Sequence, residues 1–188
     1  MQVFDFDNTI YHGESVFDFT LFIIKRKKRL LKYIPGIIKL LIKYKKCQMD
    51  KNEFKENLEK YAKVVLDNKE FIKGMVVLFW QKNKHKLDQE MLKKINKNDV
   101  ILTCSPYFLI DEIKEELKTK HLICSEIDIE KGQINFLNFG ENKVLSFKEK
   151  YKNKKIDTVY TDSYNDQALM DNAKNVYLVK KGKCYKIK

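Results

Sequence analysis

The stretch Val3-Phe4-Asp5-Phe6-Asp7-Asn8-Thr9 decides the fold, because an apolar segment runs directly into a polar turn that carries two carboxylates. The pattern predicts a short buried strand over residues 2–6, followed by a loop. Asp5 and Asp7 are therefore expected at the carboxyl end of a strand, the edge where open α/β sheets bind their ligands. A surface turn is the alternative interpretation, since Asp and Asn are common wherever strands end.

Asp5 and Asp7 stand two residues apart, so a turn just after the strand can bring both carboxylates into one small volume. Two carboxylates held close together repel, so one tends to keep its proton while a bound cation can neutralise the other. Such a pair can supply an acid and a nucleophile as separate roles.

A long helical pattern follows this turn. Residues 14–95 carry helical periodicity, interrupted at Pro35-Gly36. The run from Asp50 to Glu53 indicates a helix start, because a capping Asp is followed three residues later by a carboxylate. We expect about four helices in this segment.

The pattern then changes to alternating strands and helices. Strands are predicted at 100–103, 121–125, 156–160, 176–179 and 183–187, helices at 107–117, 143–151 and 164–173, and a hairpin within 127–137. This rhythm predicts an α/β fold with a Rossmann-like parallel sheet covered by helices. The expected organisation is a core of residues 1–12 and 96–188, with an inserted all-helical cap of residues 13–95.

Polar residues also end the later predicted strands. Thr103, Cys104 and Ser105 bring hydroxyls and backbone amides suited to cradling phosphoryl oxygens. Lys143 begins a predicted helix, and Asp162 and Asp166 follow a further strand. Each has an ordinary explanation when taken alone, but their order along the chain indicates one site.

Taken together, these residues resemble the motifs of the haloacid dehalogenase-like hydrolase superfamily. Asp5-Phe-Asp7-Asn-Thr9 resembles its first motif, Thr103 the second, Lys143 the third and Asp162-Ser-x-x-Asp166 the fourth. The resemblance covers essentially the whole chain and is strongest to the phosphoserine-phosphatase-like branch, whose cap is inserted at the same point.

The resemblance implies a phosphatase. Asp5 would be the nucleophile that forms an aspartyl-phosphate, Asp7 the general acid and base, and Lys143 the cation that holds Asp5 and a phosphate oxygen. The resemblance also implies a Mg²⁺ cofactor. The residues implied for the metal site are Asp5, Asp7, Asp162 and Asp166, and those implied for the substrate are Thr9, Glu14, Thr103, Cys104 and Ser105.

Several residues depart from the pattern of phosphoserine phosphatases. Thr161 stands where the fourth motif usually has glycine, Cys104-Ser105 replaces a Gly-Gly pair, and Glu59 stands where those enzymes carry an arginine for the substrate carboxylate. Glu14 matches a glutamate that contacts substrate in that branch, with helix capping as the alternative. These departures argue against phosphoserine as the substrate.

The chain of 188 residues carries a net charge of +12, yet Arg26 and Arg29 are its only arginines. Nucleic-acid readers depend on arginine for bidentate contacts, so no specific nucleic-acid partner is expected. Residues 25–46 hold ten basic side chains and no acidic one, interleaved with apolar residues. This segment resembles the cap of bacterial phosphatidylglycerophosphate phosphatases and can contact an anionic membrane surface. An ordinary cap with solvated lysines is the alternative.

The expected substrate is thus either a small phosphorylated metabolite or a lipid phosphate headgroup. A noncatalytic module that binds phosphate or a membrane surface is the rival from another class. The four cysteines form no zinc-like spacing and no secretory signal precedes the first strand, so the expected location is the cytoplasm, with contact to the inner face of the membrane left open.

Overall fold

A computed structural model of the protein describes residues 1–66 and 68–188. In this part of the chain seven strands form one sheet in the order β4-β3-β2-β1-β5-β6-β7. The strands are β1 (Gln2–Phe4), β2 (Val100–Pro106), β3 (His121–Asp128), β4 (Gln133–Phe136), β5 (Ile156–Thr161), β6 (Ala173–Lys180) and β7 (Lys183–Lys186). Strands β3, β2, β1, β5 and β6 pair in parallel, and β4 and β7 close the two edges as antiparallel neighbours.

The central strand β1 is buried on both faces. Val3 and Phe4 are fully buried, and because alternate residues of a strand point to opposite sides, they enter two different apolar clusters. Helices α7 (Glu141–Lys150) and α8 (Gln167–Asp171) cover the Val3 face. The predicted α/β fold with a Rossmann-like parallel core is confirmed.

Helices fill most of the segment between β1 and β2. They are α1 (Ser15–Ile24), α2 (Ile34–Lys45), α3 (Lys51–Val65), α4 (Lys69–Asn83) and α5 (Gln89–Lys94), with three-residue-per-turn segments at Lys28–Tyr33 and Lys84–Lys86. Asp50 caps α3 as predicted, its carboxylate accepting the backbone N–H groups of Asn52 and Glu53. Pro35 lies in the first turn of α2, where backbone N–H groups have no partner within the helix, so the lack of an N–H in proline costs nothing there. The predicted break in the helical pattern therefore falls before Pro35.

The apolar core is continuous between the sheet and these helices. Phe4 and Phe6 share a cluster with Phe19, Phe79 and Trp80, and the Trp80 indole N–H donates to the Leu109 carbonyl at 2.6 Å. The division into a core and a cap at residues 12 and 95 stays a prediction.

The structure shortens two predicted helices. The segment 107–117 forms α6 (Tyr107–Ile110) and then a tighter turn at Asp111–Ile113. Ile113 and Leu117 nevertheless remain fully buried, so the tightened turn still directs apolar side chains into the core. The predicted helix 164–173 is shortened as well, because Tyr164–Asp166 forms a three-residue-per-turn segment, α8 spans Gln167–Asp171, and Ala173 already begins β6. Elsewhere the predicted boundaries shift by a few residues, as is usual at frayed ends.

The predicted hairpin is present between β3 and β4. Gly132 has a φ of +60° in its turn, and a Cβ there would lie 2.6 Å from the backbone of Lys63 in α3. Only glycine permits this close approach between the hairpin and the helix. None of the helices in the described residues has both the length and the apolar composition needed to span a bilayer.

Candidate active site

The parallel register brings the predicted site residues to one edge of the sheet. Phe4 in β1 pairs with Ile101 in β2 and with Tyr160 in β5. The backbone N–H of Asp5 donates to the Tyr160 carbonyl at 2.9 Å, so β1 stays paired up to that residue. The segments that follow β1, β2 and β5 therefore leave the sheet side by side.

Lys143 joins two of the predicted carboxylates. Its Nζ donates to Asp5 Oδ1 at 2.8 Å and to Asp166 Oδ2 at 2.9 Å, and all three side chains are buried. The Thr161 hydroxyl donates to the same Asp166 oxygen at 2.8 Å. Thr161, a departure from the glycine of the motif, thus helps to fix Asp166.

These ion pairs control the charges at the site. Burial alone would lower the pKa of Lys143, but the carboxylates of Asp166 and Asp5 together raise it above its ordinary value, so the ammonium stays charged. Burial raises the pKa of Asp5 to about 7, although the Lys143 charge opposes that rise. The lysine holds the Asp5 carboxylate in a fixed orientation.

Asp7 has different partners from Asp5. The Ser105 hydroxyl donates to Asp7 Oδ2 at 2.7 Å, and the backbone N–H of Ser15, at the start of α1, donates to Oδ1 at 2.6 Å. Burial and the charge of Glu14 raise the pKa of Asp7 to about 6, and these hydrogen bonds only partly offset the rise. The carboxyl can therefore exchange a proton near neutral pH, as a general acid and base must.

The end of β2 supplies buried hydroxyls. Thr103 and Ser105 are each 1% exposed, and the Ser105 N–H donates to the Thr103 hydroxyl at 3.0 Å. Burial raises the pKa of the Cys104 thiol to about 12, so this cysteine remains neutral beside the acids.

Asn138 was not identified from the sequence. Its side-chain amide is fully buried, and the amide nitrogen donates to the backbone carbonyls of Thr103 and Ile123 at 3.0 Å each. The side-chain oxygen accepts a hydrogen bond from the Ser146 hydroxyl. It ties the end of β2 to the neighbouring strand β3. A polar residue in a loop carries no sequence signal for such a role.

Glu14 lies against the same site. The Asn8 side-chain amide donates to Glu14 at 2.7 Å, and the Lys45 ammonium lies 3.3 Å from the same carboxylate. Glu14 occupies the N-cap position of α1, but its side chain accepts no backbone N–H there. The capping alternative is therefore wrong.

Asp162 lines a polar cavity of about 170 Å³ together with Asp7, Glu14 and Lys45. Burial and the charges of Asp5 and Glu14 raise the pKa of Asp162 to about 8. Among the described residues none donates a hydrogen bond to the Asp162 carboxylate. Its ionised form therefore has no direct partner within this part of the chain.

The oxygen groups at this edge fit a hard divalent cation such as Mg²⁺, which prefers carboxylate and carbonyl oxygens. Within residues 1–66 and 68–188, no three His, Cys, Asp or Glu side chains form a ready-made metal cluster. Of the four residues implied for the metal, Asp5 and Asp162 would contribute carboxylates and Asp7 its backbone carbonyl. Asp166 contacts Lys143 and Thr161 instead, which favours a positioning role for it.

Thr9 has no observed contact with a cavity. It is 1% exposed, and its hydroxyl has no hydrogen-bond partner among the described residues. It lines neither the polar cavity nor the apolar one described below. Its contact with substrate stays a prediction.

Comparison with solved structures finds the same fold at low sequence identity. A protein of unknown function from Bordetella pertussis Tohama I has a TM-score of 0.72 and 16% identity, covering 91% of this chain and 85% of its own. A phosphoserine phosphatase, solved as a phospho-aspartyl intermediate analogue, has a TM-score of 0.65 and 16% identity, covering 93% and 83%. A phosphoserine phosphohydrolase-like protein from Francisella tularensis subsp. tularensis SCHU S4 has a TM-score of 0.64 and 17% identity, covering 94% and 86%.

Comparison with curated proteins finds no matching sequence. The sequence model of the haloacid dehalogenase-like hydrolases, in contrast, matches residues 3–171, a range that includes all four of the predicted motifs. Because this match extends over most of the chain, and the sheet brings the motif residues to one edge, the protein belongs to the haloacid dehalogenase-like hydrolases, as the motifs predicted.

Proposed function

We propose that this protein is a Mg²⁺-dependent phosphatase that hydrolyses a phosphate monoester through an aspartyl-phosphate on Asp5. The observation that carries the proposal is the contrast between two adjacent carboxylates. Asp5 is held by the buried ammonium of Lys143, and Asp7 is held by Ser105 and the Ser15 amide, with its pKa raised to about 6. Solved phosphoserine phosphatases with the same fold support the reaction class.

In the first step, an Asp5 carboxylate oxygen attacks the phosphorus in line with the ester bond. A bond forms between Asp5 and phosphorus, the ester P–O bond breaks, and Asp7 donates its proton to the departing alcohol oxygen. In the second step, Asp7 takes a proton from the attacking water. The water oxygen bonds to phosphorus, and Asp5 is released as a carboxylate.

The remaining groups would hold the transferred phosphoryl group. The Thr103 hydroxyl at the end of β2 and the Lys143 ammonium, which donates to Asp5, are both buried. They would bind the nonbridging oxygens of the phosphoryl group. Asp166 would keep Lys143 in place. Asp5, Asp162 and the Asp7 carbonyl would hold Mg²⁺, whose charge offsets the repulsion between an anionic nucleophile and an anionic substrate.

Hydrolysis of p-nitrophenyl phosphate tests this proposal. We expect activity with Mg²⁺, loss of activity in EDTA, and loss in Asp5→Asn, with Asp157→Asn as the matched control on an exposed part of β5. Activity that survives both EDTA and Asp5→Asn would contradict the mechanism. Complete inactivity of the wild-type protein toward phosphate esters would favour the noncatalytic alternative.

A second function, contact with an anionic membrane surface, is favoured by exposed apolar side chains in the basic segment. Leu31, Ile38 and Ile42 are 51%, 42% and 49% exposed on Lys28–Tyr33 and α2. Basic residues contribute about 1 kcal/mol each near an anionic bilayer. We expect salt-sensitive co-sedimentation with anionic vesicles that weakens in Ile38→Glu and persists in Val77→Glu on α4. Equal binding by both variants, or none by the wild type, would contradict it.

A further inference from the structure

A second cavity, almost entirely apolar, opens beside the proposed catalytic acid. It has a volume of about 120 Å³ and lies between helices α1, α2 and α3 and the end of β2. The side chains that form its wall include Ile37, Leu40, Leu41, Phe54, Leu58 and Leu137. Asp7, Glu14 and Ser105 are its polar end.

This apolar cavity adjoins the polar cavity that contains Asp162. Asp7, Glu14 and Tyr44 line both of them. A phosphate ester attacked by Asp5, which is two residues from Asp7, would therefore direct its alcohol group past Asp7 into the apolar side. The position of Asp7 at the junction matches its proposed task of protonating the departing oxygen.

The wall of the apolar cavity offers nothing to a charged alcohol group. Its lining in the described residues includes no lysine, arginine or histidine, and its two charged members, Asp7 and Glu14, are acids. A substrate carboxylate would be desolvated there without a partner and would be repelled by both acids. Glu59 supplies no contact either, since it accepts the Ile134 N–H at 3.0 Å and lies outside the lining.

A smaller apolar cavity of about 70 Å³ continues from the first. The two share six lining residues, namely Val16, Thr20, Leu58, Tyr61, Pro106 and Ile127. These shared residues show that the two cavities are neighbours. The apolar space thus extends away from Asp7 and is longer than a small substituent, such as a methyl group, would need.

We propose that the substrate is the phosphate monoester of an apolar alcohol, whose alkyl or aryl part enters this cavity while its ester oxygen lies at Asp7. The inference rests on the proposed phosphatase function and specifies its substrate class. A dry cavity of ~150 Å³ takes a benzene ring, so 120 Å³ corresponds to a group of roughly six carbons.

A series of n-alkyl phosphates from ethyl to octyl, compared with phosphoserine, tests the proposal. We expect kcat/KM to rise roughly three- to fourfold per methylene up to about six carbons, as apolar surface is removed from water, and phosphoserine to be the poorest substrate. A kcat/KM that is flat with chain length, or that is highest for phosphoserine, would overturn the inference while leaving the phosphatase proposal intact. If the protein hydrolysed no phosphate ester at all, both this inference and the phosphatase proposal would be overturned.

Leu58 lines both apolar cavities. Two variants of Leu58 therefore test whether the preference for chain length arises in this cavity. Leu58→Phe should fill the space and move the preferred chain length to shorter esters. Leu58→Lys should lower kcat/KM for hexyl phosphate about tenfold and raise it for phosphoserine, because it supplies the missing cation. Val77→Lys on the exposed side of α4 is the matched control. An unchanged chain-length profile in folded Leu58→Phe would contradict the placement.

The same alcohol chemistry occurs in soluble esters and in membrane lipids. Hexyl phosphate free in solution and hexadecyl phosphate in phosphatidylcholine vesicles separate the two sources. A higher kcat/KM for either ester than for phosphoserine supports the proposal and identifies the source. A preference for phosphoserine over both contradicts it.

Discussion

At the residue scale, two chemically identical carboxylates, Asp5 and Asp7, have different hydrogen-bond partners. Asp5 receives a hydrogen bond from an ammonium, which favours the ionised form that a nucleophile needs. Asp7 receives hydrogen bonds from a hydroxyl and a backbone amide, which favour its ionised form, but burial and the charge of Glu14 outweigh them and raise its pKa to about 6. Burial raises both pKa values, to about 7 for Asp5 and about 6 for Asp7, so the two roles follow from the different partners of the carboxylates and not from the order of their pKa values.

Replacing the proposed acid should slow turnover and trap the intermediate. In Asp7→Asn we expect kcat to fall by about 10²- to 10⁴-fold, the usual contribution of a positioned acid or base. With p-nitrophenyl phosphate, whose leaving group departs without a proton, the aspartyl-phosphate should accumulate because its hydrolysis still needs the base. Rapid-quench measurement of protein-bound phosphate checks this. Turnover equal to that of Asp157→Asn would contradict the assignment.

Removing the buried cation should destabilise the fold. Lys143→Met leaves Asp5 and Asp166 buried without their counter-ion, which should cost about 3–5 kcal/mol of unfolding free energy. Lys143→Met combined with Asp166→Asn should recover part of that loss, since one uncompensated charge is then absent. Urea unfolding at neutral pH measures both. A cost under about 1 kcal/mol for the single variant would show that the pair is not buried as described.

At the scale of elements, the end of strand β2 depends on a side chain from outside the strand. Asn138 holds the Thr103 and Ile123 carbonyls, so it fixes β2 and β3 together next to the phosphate-binding groups. We expect Asn138→Leu to cost about 2–4 kcal/mol, because it leaves buried polar groups unsatisfied at about 1–3 kcal/mol each. It should also lower kcat. Asn142→Leu should cost less, because this partly buried amide donates to the Leu137 carbonyl and accepts only a long, exposed hydrogen bond from Lys51 at 3.4 Å. Equal losses in the two variants would contradict the special role of Asn138.

The elements that could be predicted from sequence are those with local signals. Asp50 predicts the start of α3 because a capping side chain acts on backbone N–H groups within three residues. The polar residues after β1 and β5 likewise predict where these strands end. The contacts of Asn138 could not be predicted, since its partners lie 35 and 15 residues away in sequence. The apolar cavity likewise depends on three helices meeting, which no single periodicity reveals.

At the scale of the whole molecule, a chain with a net charge of +12 surrounds a strongly acidic site. Asp5, Asp7, Glu14 and Asp162 all have raised pKa values, chiefly because burial disfavours their charged forms and they repel one another. The positive surface should attract anionic phosphate esters toward the site, and this attraction should weaken with salt. The acidic centre, in contrast, should require a cation before the substrate can bind closely.

This charge distribution predicts how stability depends on pH and on Mg²⁺. The pKa of Asp162 rises from 3.8 to about 8 on folding, so between these values the folded state binds more protons than the unfolded state. Without metal, the unfolding free energy should therefore fall as pH rises from about 4 to about 8. Mg²⁺ should stabilise the protein more at pH 8 than at pH 5. At pH 8, a Mg²⁺ concentration of ~100 Kd should add about 2.7 kcal/mol to the unfolding free energy relative to the metal-free protein.

Thermal unfolding in EDTA and in Mg²⁺ at the two pH values checks this prediction. Asp162→Asn should flatten the pH dependence in EDTA and weaken the effect of Mg²⁺, whereas Asp157→Asn should behave like the wild type. Equal Mg²⁺ effects at pH 5 and pH 8 would show that these carboxylates do not hold the cation.

The central claim is that Asp5 becomes phosphorylated during turnover. The most direct measurement is acid quenching of the Asp7→Asn protein during reaction with a radiolabelled phosphate monoester, followed by peptide mapping. We predict label on the peptide that contains Asp5, removable by hydroxylamine as expected for an acyl phosphate, and no label when Asp5→Asn is added. Label on a different residue, or retained when Asp5 is replaced, would contradict the account.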